Sequence, residues 1–436
     1  MVLCSLRVIA SCFCLISLIA FGQNEDAYSA NQRIARIRDL GKKNSQAIPA
    51  LEQNLGDPNR DIRIETVKAI VKIGTEASLA PLIKAAHDND SEVQIRAVDG
   101  IVNFYVPGYV IKGGLTGPLT RGVRQVKSFF SSRDNQVIDP SVSVRTDVGE
   151  ALGDVILRGG SIDSRANAAR AAGILRARPA VVALVDALRS KNSEVIFECL
   201  VALQKIGDPS AGPGVSFLAH DFDDRVQATA LETIGVLHSL DSASDVRSVL
   251  RDARNIKICR AALECLAMLG IAEDRSVFKQ YIEDRDADLR ASALEGRGRI
   301  REPEDTAAIE QAYNEKNADP KVHVAAAFAL VSEGKVDTSD FSPLRYLVEK
   351  LDVRGQRDSA QAYLAELCRR DEVRKALFPL LRDATKEQKL ALCQALSASR
   401  NGDVIPVLNA LSKDIDSDVS LAASKGLKAV EASRPQ

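Results

Sequence analysis

The feature that most constrains this sequence is a pattern of apolar residues that recurs about every 31 positions. In each copy an aliphatic anchor residue is followed by a small residue at position four and by apolar residues at positions five and eight. The clearest successive anchors are Val195, Val226, Ile258, Leu289 and Val322, which stand 31, 32, 31 and 33 residues apart. Because these positions share one face of an α-helix, each copy predicts a helix with a single apolar stripe.

Further copies extend the pattern over most of the chain. Their anchors are Ile62, Val93, Val144 and Val419, with weaker copies near Ser164, Gln356 and Gln388. A second apolar helix fills the rest of each period, as in residues 79–86 and 181–188. Each period is therefore a predicted helical hairpin, which cannot bury its own stripe. A row of stacked hairpins can, and this predicts an all-α solenoid of about 11–12 hairpins.

Signals for helix ends support this interpretation. Short polar residues precede several anchors, as in Asn89-Asp90-Ser91 and Asp319-Pro320, where they are typical of helix starts. Four glycines stand twelve positions after an anchor, where a left-handed residue closes a helix: Gly74, Gly207, Gly270 and Gly334. Aromatic residues make up only 4% of the chain and Trp is absent, so the core must consist of Ala, Leu, Val and Ile.

Residues 57–74, with the sequence Asp-Pro-x(3)-Ile-Arg-Ile-Glu-Thr-Val-Lys-Ala-Ile-Val-Lys-Ile-Gly, resemble a HEAT repeat. The resemblance is to the short variety also seen in phycobilin-lyase-like repeat proteins, and it covers roughly residues 45–432 apart from one interruption. It implies an α-solenoid with the anchor-bearing helices on its concave side. It also implies a role in protein binding or scaffolding.

The sequence carries no recognisable catalytic motif. It has no Gly-x-Ser-x-Gly elbow, Walker loop or His-Glu-x-x-His. Some HEAT-like proteins bind iron through His-Glu pairs, but none of the four histidines here is followed by Glu. A balance of 58 basic against 59 acidic residues gives no argument for nucleic acid. We therefore predict a protein that is not an enzyme and holds no metal or cofactor.

The first 22 residues predict an export signal. Arg7 is followed by an uncharged apolar run that ends at Phe21. This run of about 14 residues is shorter than the roughly 20 that span a bilayer. We therefore expect cleavage after Gly22 and a periplasmic or extracellular mature chain. The alternatives are an uncleaved anchor and lipidation at Cys12.

The cysteines do not predict a disulfide framework. Three of the eight lie in the export signal, which leaves an odd number, and no CxxC occurs. The five others lie inside helical patterns, where a free cysteine often behaves as a small buried hydrophobic residue.

An insertion at residues 103–143 is predicted to interrupt the array. Val93 and Val144 stand 51 positions apart, about 20 more than one period. The insertion separates N-terminal repeats at 23–102 from a main array at 144–436. It is basic and rich in aromatic residues. Its candidate partner-binding residues are Tyr105, Tyr109, Lys112, Arg121, Arg124, Lys127, Phe129 and Phe130.

Apolar residues within positions 119–130 of the insertion have helical spacing and lie among basic residues. Such a helix can lie on an anionic membrane, grip a protein partner, or fold back over the repeat that it interrupts. The residues alone leave these three alternatives open.

A row of glutamates is the second candidate binding feature. Glu232, Glu264 and Glu295 each stand six positions after an anchor in three successive repeats. If the anchor helices line a concave face, these carboxylates stack along it and attract a basic segment. Glu150 holds the same position after Val144. Three neighbouring arginines are candidates to neutralise the row: Arg260, Arg290 and Arg297.

Taken together, the residues predict an exported, non-enzymatic scaffold that binds a protein or peptide on its concave face, its insertion, or both. Two alternatives remain at this point. One is an accessory lyase-like or small-ligand-handling protein, and the other is a peripheral membrane organiser.

Overall fold

A computed structural model describes residues 29–110, 136–139, 142–301 and 306–432. These residues divide into two compact units, one ending at Asp208 and the other beginning at Pro209. Within the described residues every regular element is a helix. The α-helices of the first unit are α1 (Ala30–Leu40), α2 (Ile48–Glu52), α3 (Arg60–Ile73), α4 (Leu79–Ala86), α5 (Ser91–Tyr105), α6 (Thr146–Arg158), α7 (Ile162–Ile174), α8 (Val181–Ala187) and α9 (Ser193–Ile206).

The α-helices described in the second unit follow the same alternation. They are α10 (Asp224–Val236), α11 (Ala243–Asp252), α12 (Ile256–Leu269), α13 (Arg275–Tyr281), α14 (Ala287–Ile300), α15 (Thr306–Asn314), α16 (Pro320–Ser332), α17 (Pro343–Lys350), α18 (Arg357–Leu367), α19 (Asp371–Leu377), α20 (Lys386–Ala398), α21 (Ile405–Leu411) and α22 (Ser417–Ala432). Short 3-10 turns join several of them.

Helices pack in rows of hairpins within each unit. The first helices of the hairpins are α1, α3, α5, α7 and α9 in the first unit, and α10, α12, α14, α16, α18, α20 and α22 in the second. Each first helix packs against the next first helix of its own unit. The described residues therefore contain twelve first helices. This confirms the predicted all-α solenoid of about 11–12 hairpins.

The predicted anchors are the residues on which this packing depends. Val195, Val226 and Val322 lie at the third position of their helices and are at most 1% exposed. Small residues beside them let successive first helices approach closely. A Cβ atom added to Gly298 of α14 would lie 2.6 Å from the Cα atom of Ala329 in α16, so only glycine permits this separation.

Short polar side chains start most first helices, as predicted. The Asp90 side chain accepts hydrogen bonds from the backbone N–H groups of Glu92 and Val93, at 2.9 and 3.2 Å. Asp319 accepts one from Lys321 at 2.9 Å. These bonds satisfy donors that have no partner inside the helix, and they set each anchor at the same place in its helix.

A left-handed residue ends many first helices, whatever its side chain. The four predicted glycines have φ between 60° and 107°. The same position, twelve residues after the start of the pattern, is occupied elsewhere by a basic residue with φ between 46° and 61°: Arg176, His238, Arg301 and Arg400. The geometry of the helix end is therefore a property of the hairpin, and glycine is only its least strained occupant.

The predicted anchor at Val144 is wrong. Helix α6 begins at Thr146, and its buried face starts at Val148. It packs against α7 and also against the second helices α4 and α8. It is therefore the second helix of the hairpin that α5 begins, and the next first helix is α7, whose pattern starts at Ser164.

This correction moves the interruption. It lies between the two helices of one hairpin, after Tyr105 and before Thr146, and not between two hairpins. Val93 and Ser164 are 71 positions apart, which is about 40 more than one period of about 31. The estimate of about 20 additional residues was too small because α6 was counted as a first helix. The division at 103–143 stays a prediction.

None of the helices that the structure describes has the length and hydropathy required to cross a bilayer. The five cysteines outside the export signal are free thiols, and Cys259 is only half-buried while the others are buried. Burial raises the pKa of the Cys368 thiol to about 12, so this thiol stays protonated and unreactive at neutral pH. Residues 1–22, the predicted export signal, lie outside the described residues.

Replacement of Arg400 by glycine is expected to raise the free energy of unfolding by about 0.5–1 kcal/mol, because glycine removes the strain of a positive φ. The reverse change at an equivalent position, Gly74→Arg, is expected to lower it by about 1 kcal/mol. Urea denaturation measures both effects. As a control, Arg251→Gly inside α11 should destabilise, since its backbone is right-handed. A destabilised Arg400→Gly protein would contradict the expectation.

Candidate functional site

Two of the candidate residues of the insertion, Tyr105 and Tyr109, lie within the described residues. Tyr105 ends α5, and its hydroxyl oxygen accepts a hydrogen bond from the backbone N–H of Arg145 at 3.2 Å. Its ring packs edge-to-face on Phe104, with ring centroids 5.0 Å apart. Tyr109 is half-buried a few residues further on. The other candidates lie outside the described residues: Lys112, Arg121, Arg124, Lys127, Phe129 and Phe130.

The acidic row is assembled on three successive first helices of the second unit. Glu232 lies on α10, Glu264 on α12 and Glu295 on α14. The Glu264 side chain keeps contact with solvent, yet protein surrounds it on several sides. This burial, together with the negative charges of Glu295 and Glu232, raises its pKa to about 7. The three carboxylates are therefore close enough to repel one another.

The glutamates of the acidic row differ in the contacts that their carboxylates make. Glu264 makes no hydrogen bond or ion pair with any residue that the structure describes, whereas Glu295 is engaged by two neighbours. Glu295 accepts a hydrogen bond from the hydroxyl of Tyr363 and forms an ion pair with Arg299 at 3.2 Å. Glu264 is thus the carboxylate of the row most ready to receive an external cation.

Arg299 and Tyr363 form a clamp between α14 and α18, across the intervening α16. Arg299 donates to the Glu366 carboxylate of α18 at 3.0 Å. Its guanidinium also lies 5.2 Å from the ring centroid of Phe328 in α16. The Tyr363 ring stacks on the same Phe328, with centroids 4.5 Å apart. First helices two repeats apart are therefore joined directly, which ordinary nearest-neighbour stacking does not provide.

The composition of α16 explains this clamp. Its sequence from Val324 to Ser332 is dominated by alanine and valine, and every residue of that stretch is buried. A helix with such short side chains lets both flanking helices approach it closely. Phe328 occupies the sixth position after the anchor, where the three preceding repeats carry glutamate. The acidic row therefore ends at an aromatic side chain that the clamp covers.

The clamp was not predicted from the sequence. Arg299 and Glu366 are 67 positions apart, and Glu295 and Tyr363 are 68 apart, so neither pair falls within one repeat. The available signal was the replacement of glutamate by phenylalanine at position 328. Its meaning depends on α18, whose path the repeat pattern does not define.

Two of the three arginines expected to neutralise the row pair with carboxylates outside it. Arg260 pairs with Asp286 at 2.5 Å and with Asp288 at 3.1 Å. Arg290 pairs with Glu315 at 2.7 Å, and Arg297 is fully buried. Arg260 and Arg290 stand near the start of their helices and reach the loops there. Arg299 instead stands one helical turn after Glu295 and therefore reaches it.

An open cavity of about 630 Å³ lies beside the clamp. It is lined mainly by the ends of α10, α12 and α14, with Arg299 and Glu366 at one side. The described residues contain no group of three or more His, Cys, Asp or Glu side chains that could hold a metal ion. Glu264 is not among the residues that line this cavity, so the acidic row and the cavity are separate features.

The Glu264→Gln protein is expected to lose part of the pH dependence of folding stability. The pKa of Glu264 is raised from 4.5 to about 7 in the folded state, so the folded chain binds more protons between these values. The free energy of unfolding therefore falls as pH rises through this window. Because Glu264 is in contact with solvent, the loss between pH 5 and pH 8 is about 1 kcal/mol or less.

Urea denaturation at several pH values measures this effect. Glu150→Gln serves as the control, because Glu150 is an exposed glutamate of the second helix α6. The control should keep the wild-type pH profile, and Glu264→Gln should flatten it. Identical profiles for all three proteins would contradict the expected shift.

Tyr363→Phe is expected to lower the free energy of unfolding by about 1–2 kcal/mol, because the half-buried Glu295 carboxylate loses a hydrogen-bond donor. Thermal and urea denaturation measure the change. Tyr105→Phe, which affects a more exposed hydroxyl, should cost less than about 0.5 kcal/mol. Equal effects of the two substitutions would contradict a stabilising role for the hydrogen bond between Tyr363 and Glu295.

Comparison with solved structures gives matches at low TM-scores and low sequence identity. An engineered protein matches with a TM-score of 0.39 and 18% identity, over 88% of this chain and 98% of that one. Importin beta matches with a TM-score of 0.45 and 12% identity, over 90% of this chain but only 58% of importin beta.

The complex of CpcE and CpcF of phycocyanin lyase from Nostoc sp. matches with a TM-score of 0.32 and 18% identity, over 72% of this chain and 94% of that one. At these scores the three structures support no assignment of function or subtype, so the phycobilin-lyase-like variety stays a prediction. No curated protein sequence matches the chain.

The family comparison is more direct. The model described as HEAT repeats matches residues 24–101 and 149–235. Together with the twelve first helices, this confirms the resemblance read from residues 57–74: these two parts of the chain are HEAT repeats.

Proposed function

We propose that this chain is an exported, non-enzymatic scaffold that binds a basic segment of a protein or peptide partner. The contact surface is the face of α10, α12 and α14 that carries the acidic row. The insertion at 103–143 is a second contact in this proposal. Export rests on the apolar run and small residues of positions 1–22.

The observation that carries the proposal is the state of Glu264. Burial is the largest cause of the raised pKa of Glu264, which is about 7, and repulsion by the carboxylates of Glu295 and Glu232 adds to it. An arriving lysine or arginine would relieve this repulsion and favour the ionised form of Glu264. The clamp leaves Glu264 on the surface while it engages Glu295, so the row keeps a site for an external cation.

HEAT repeat proteins commonly bind other proteins, and their stacked helices supply a long surface without an enclosed pocket. The cavity beside the clamp is open to solvent, whereas a small-ligand site usually buries most of the surface of its ligand. These features support a scaffold over the small-ligand alternative. The membrane alternative rests on residues 119–130, all of which lie outside the described residues.

The test is capture of the partner from an extract of the cell's own envelope, with the exported full chain as bait. The Glu232→Lys/Glu264→Lys protein is expected to retain about one tenth of the partner or less, because two attractive charges become repulsive. Glu295 is left intact so that the clamp survives. The matched control is Glu150→Lys/Glu283→Lys, which makes the same charge change at exposed positions outside the row.

Capture should also weaken as salt concentration rises, since the proposed contact is between charges. Equal recovery by the row variant and by wild type would refute the proposed surface. A second bait replaces residues 106–145 with a linker of the length that joins α10 to α11, so that the interrupted hairpin can still close. Loss of the partner with this bait alone would assign the contact to the insertion.

A further inference from the structure

The open cavity beside the clamp has an unequal distribution of charge. Its lining contains one carboxylate and four basic side chains: Glu366 on one hand, and Arg299, Arg301, Arg369 and His238 on the other. Glu366 accepts hydrogen bonds from the Arg299 guanidinium at 3.0–3.2 Å, so these two charges neutralise each other. The positive charge that remains in the lining belongs to Arg301 and Arg369.

These two arginines are not engaged by the part of the fold that the structure describes. Among the described residues, the side chains of Arg301 and Arg369 make no hydrogen bond or ion pair, and the same holds for His238. All three side chains are exposed. The two guanidinium groups are therefore available to a ligand. Their planar arrangement of donors fits the two oxygens of a carboxylate.

Two of the basic residues stand at helix ends, which offers a purely structural role for them. His238 and Arg301 are the left-handed residues that follow α10 and α14, where the negative end of a helix dipole favours a cation. Their backbone N–H groups already donate to last-turn carbonyls, His238 to Gly235 at 3.0 Å and Arg301 to Arg297 at 3.1 Å. A helix-end role alone affects stability, whereas a ligand site also affects binding. The two roles can therefore be separated by measurement.

The position of the cavity favours a protein segment as its occupant. Val236 and Met268 line it and stand one helical turn after Glu232 and Glu264 of the acidic row. Val236 is 45% exposed, so the lining offers apolar surface next to the two arginines. A free small anion would stay largely exposed in an open cavity. An extended segment instead gains contacts along the neighbouring helix faces as well.

We propose that the cavity at the ends of α10, α12, α14 and α18 is a docking site for an acidic segment of a partner protein, bound through Arg301 and Arg369. The apolar part of the lining contacts the methylene groups of the same segment. This inference goes beyond the proposed function, which concerns a basic segment, and it depends on different side chains. A segment with basic residues followed by acidic ones fits both surfaces.

The test is a fluorescence anisotropy titration of the full chain with a labelled peptide of alternating glutamate and glycine. A peptide with glutamine in place of glutamate is the neutral control. Arg301→Gln/Arg369→Gln is expected to weaken binding of the glutamate peptide about tenfold, because the two guanidinium groups that hold it are removed. The matched control is Arg354→Gln/Arg382→Gln, which makes the same charge change at exposed arginines outside the cavity.

Loss of affinity in Arg301→Gln/Arg369→Gln, with the control variant unchanged, would support the docking site. Equal affinity of wild type for the two peptides would overturn it. Urea denaturation tests the structural role in parallel. A less stable Arg301→Gln/Arg369→Gln protein that binds the glutamate peptide as wild type does would show a helix-end role only, and would also overturn the proposal.

An acidic stretch of the chain itself is the remaining occupant to test. Residues 302–305 include three acidic side chains and lie outside the described residues. The Glu302→Gln/Glu304→Gln/Asp305→Asn protein is therefore titrated with the same peptide. If this variant binds the glutamate peptide and wild type does not, the occupant is internal and the proposed docking of a partner is wrong. Binding by wild type supports an external ligand.

Discussion

The close approach of successive first helices is the constraint on which the rest of the structure depends. Each anchor residue is buried between two helices, and the small residues around it set how near those helices can come. Where the contact is between Gly298 and Ala329, no larger side chain fits. Because each hairpin buries its stripe only against its neighbours, the surface features of the array follow from this spacing. The acidic row and the clamp are two such features.

Local pattern was enough to predict the hairpins, the capping residues and the glycines that end helices. It was not enough to assign α6 correctly, because first and second helices both show one apolar stripe. Only the helices that pack against α6, which include the second helices α4 and α8, distinguish the two. The left-handed ends at Arg176 and Arg400 were missed for a related reason, since a basic side chain gives no signal of positive φ.

The acidic row shows where sequence reasoning about a surface succeeds and where it stops. Equal spacing from the anchors placed the three glutamates on one face of successive helices. It could not show that Glu295 would be engaged by a tyrosine two repeats away, or that Arg299 would be its ionic partner. Those contacts depend on how closely α14 and α18 approach the alanine-rich α16, which is a property of tertiary packing.

The clamp also has a mechanical consequence. In an array whose hairpins contact only their nearest neighbours, any junction between two hairpins can open slightly when the ends are pulled apart. Arg299 and Tyr363 instead connect the non-adjacent first helices α14 and α18 across α16. Under tension the hairpins that begin with α14, α16 and α18 should therefore move together as one rigid segment. Elongation of the second unit would then occur mainly at the junctions between hairpins on either side of this segment.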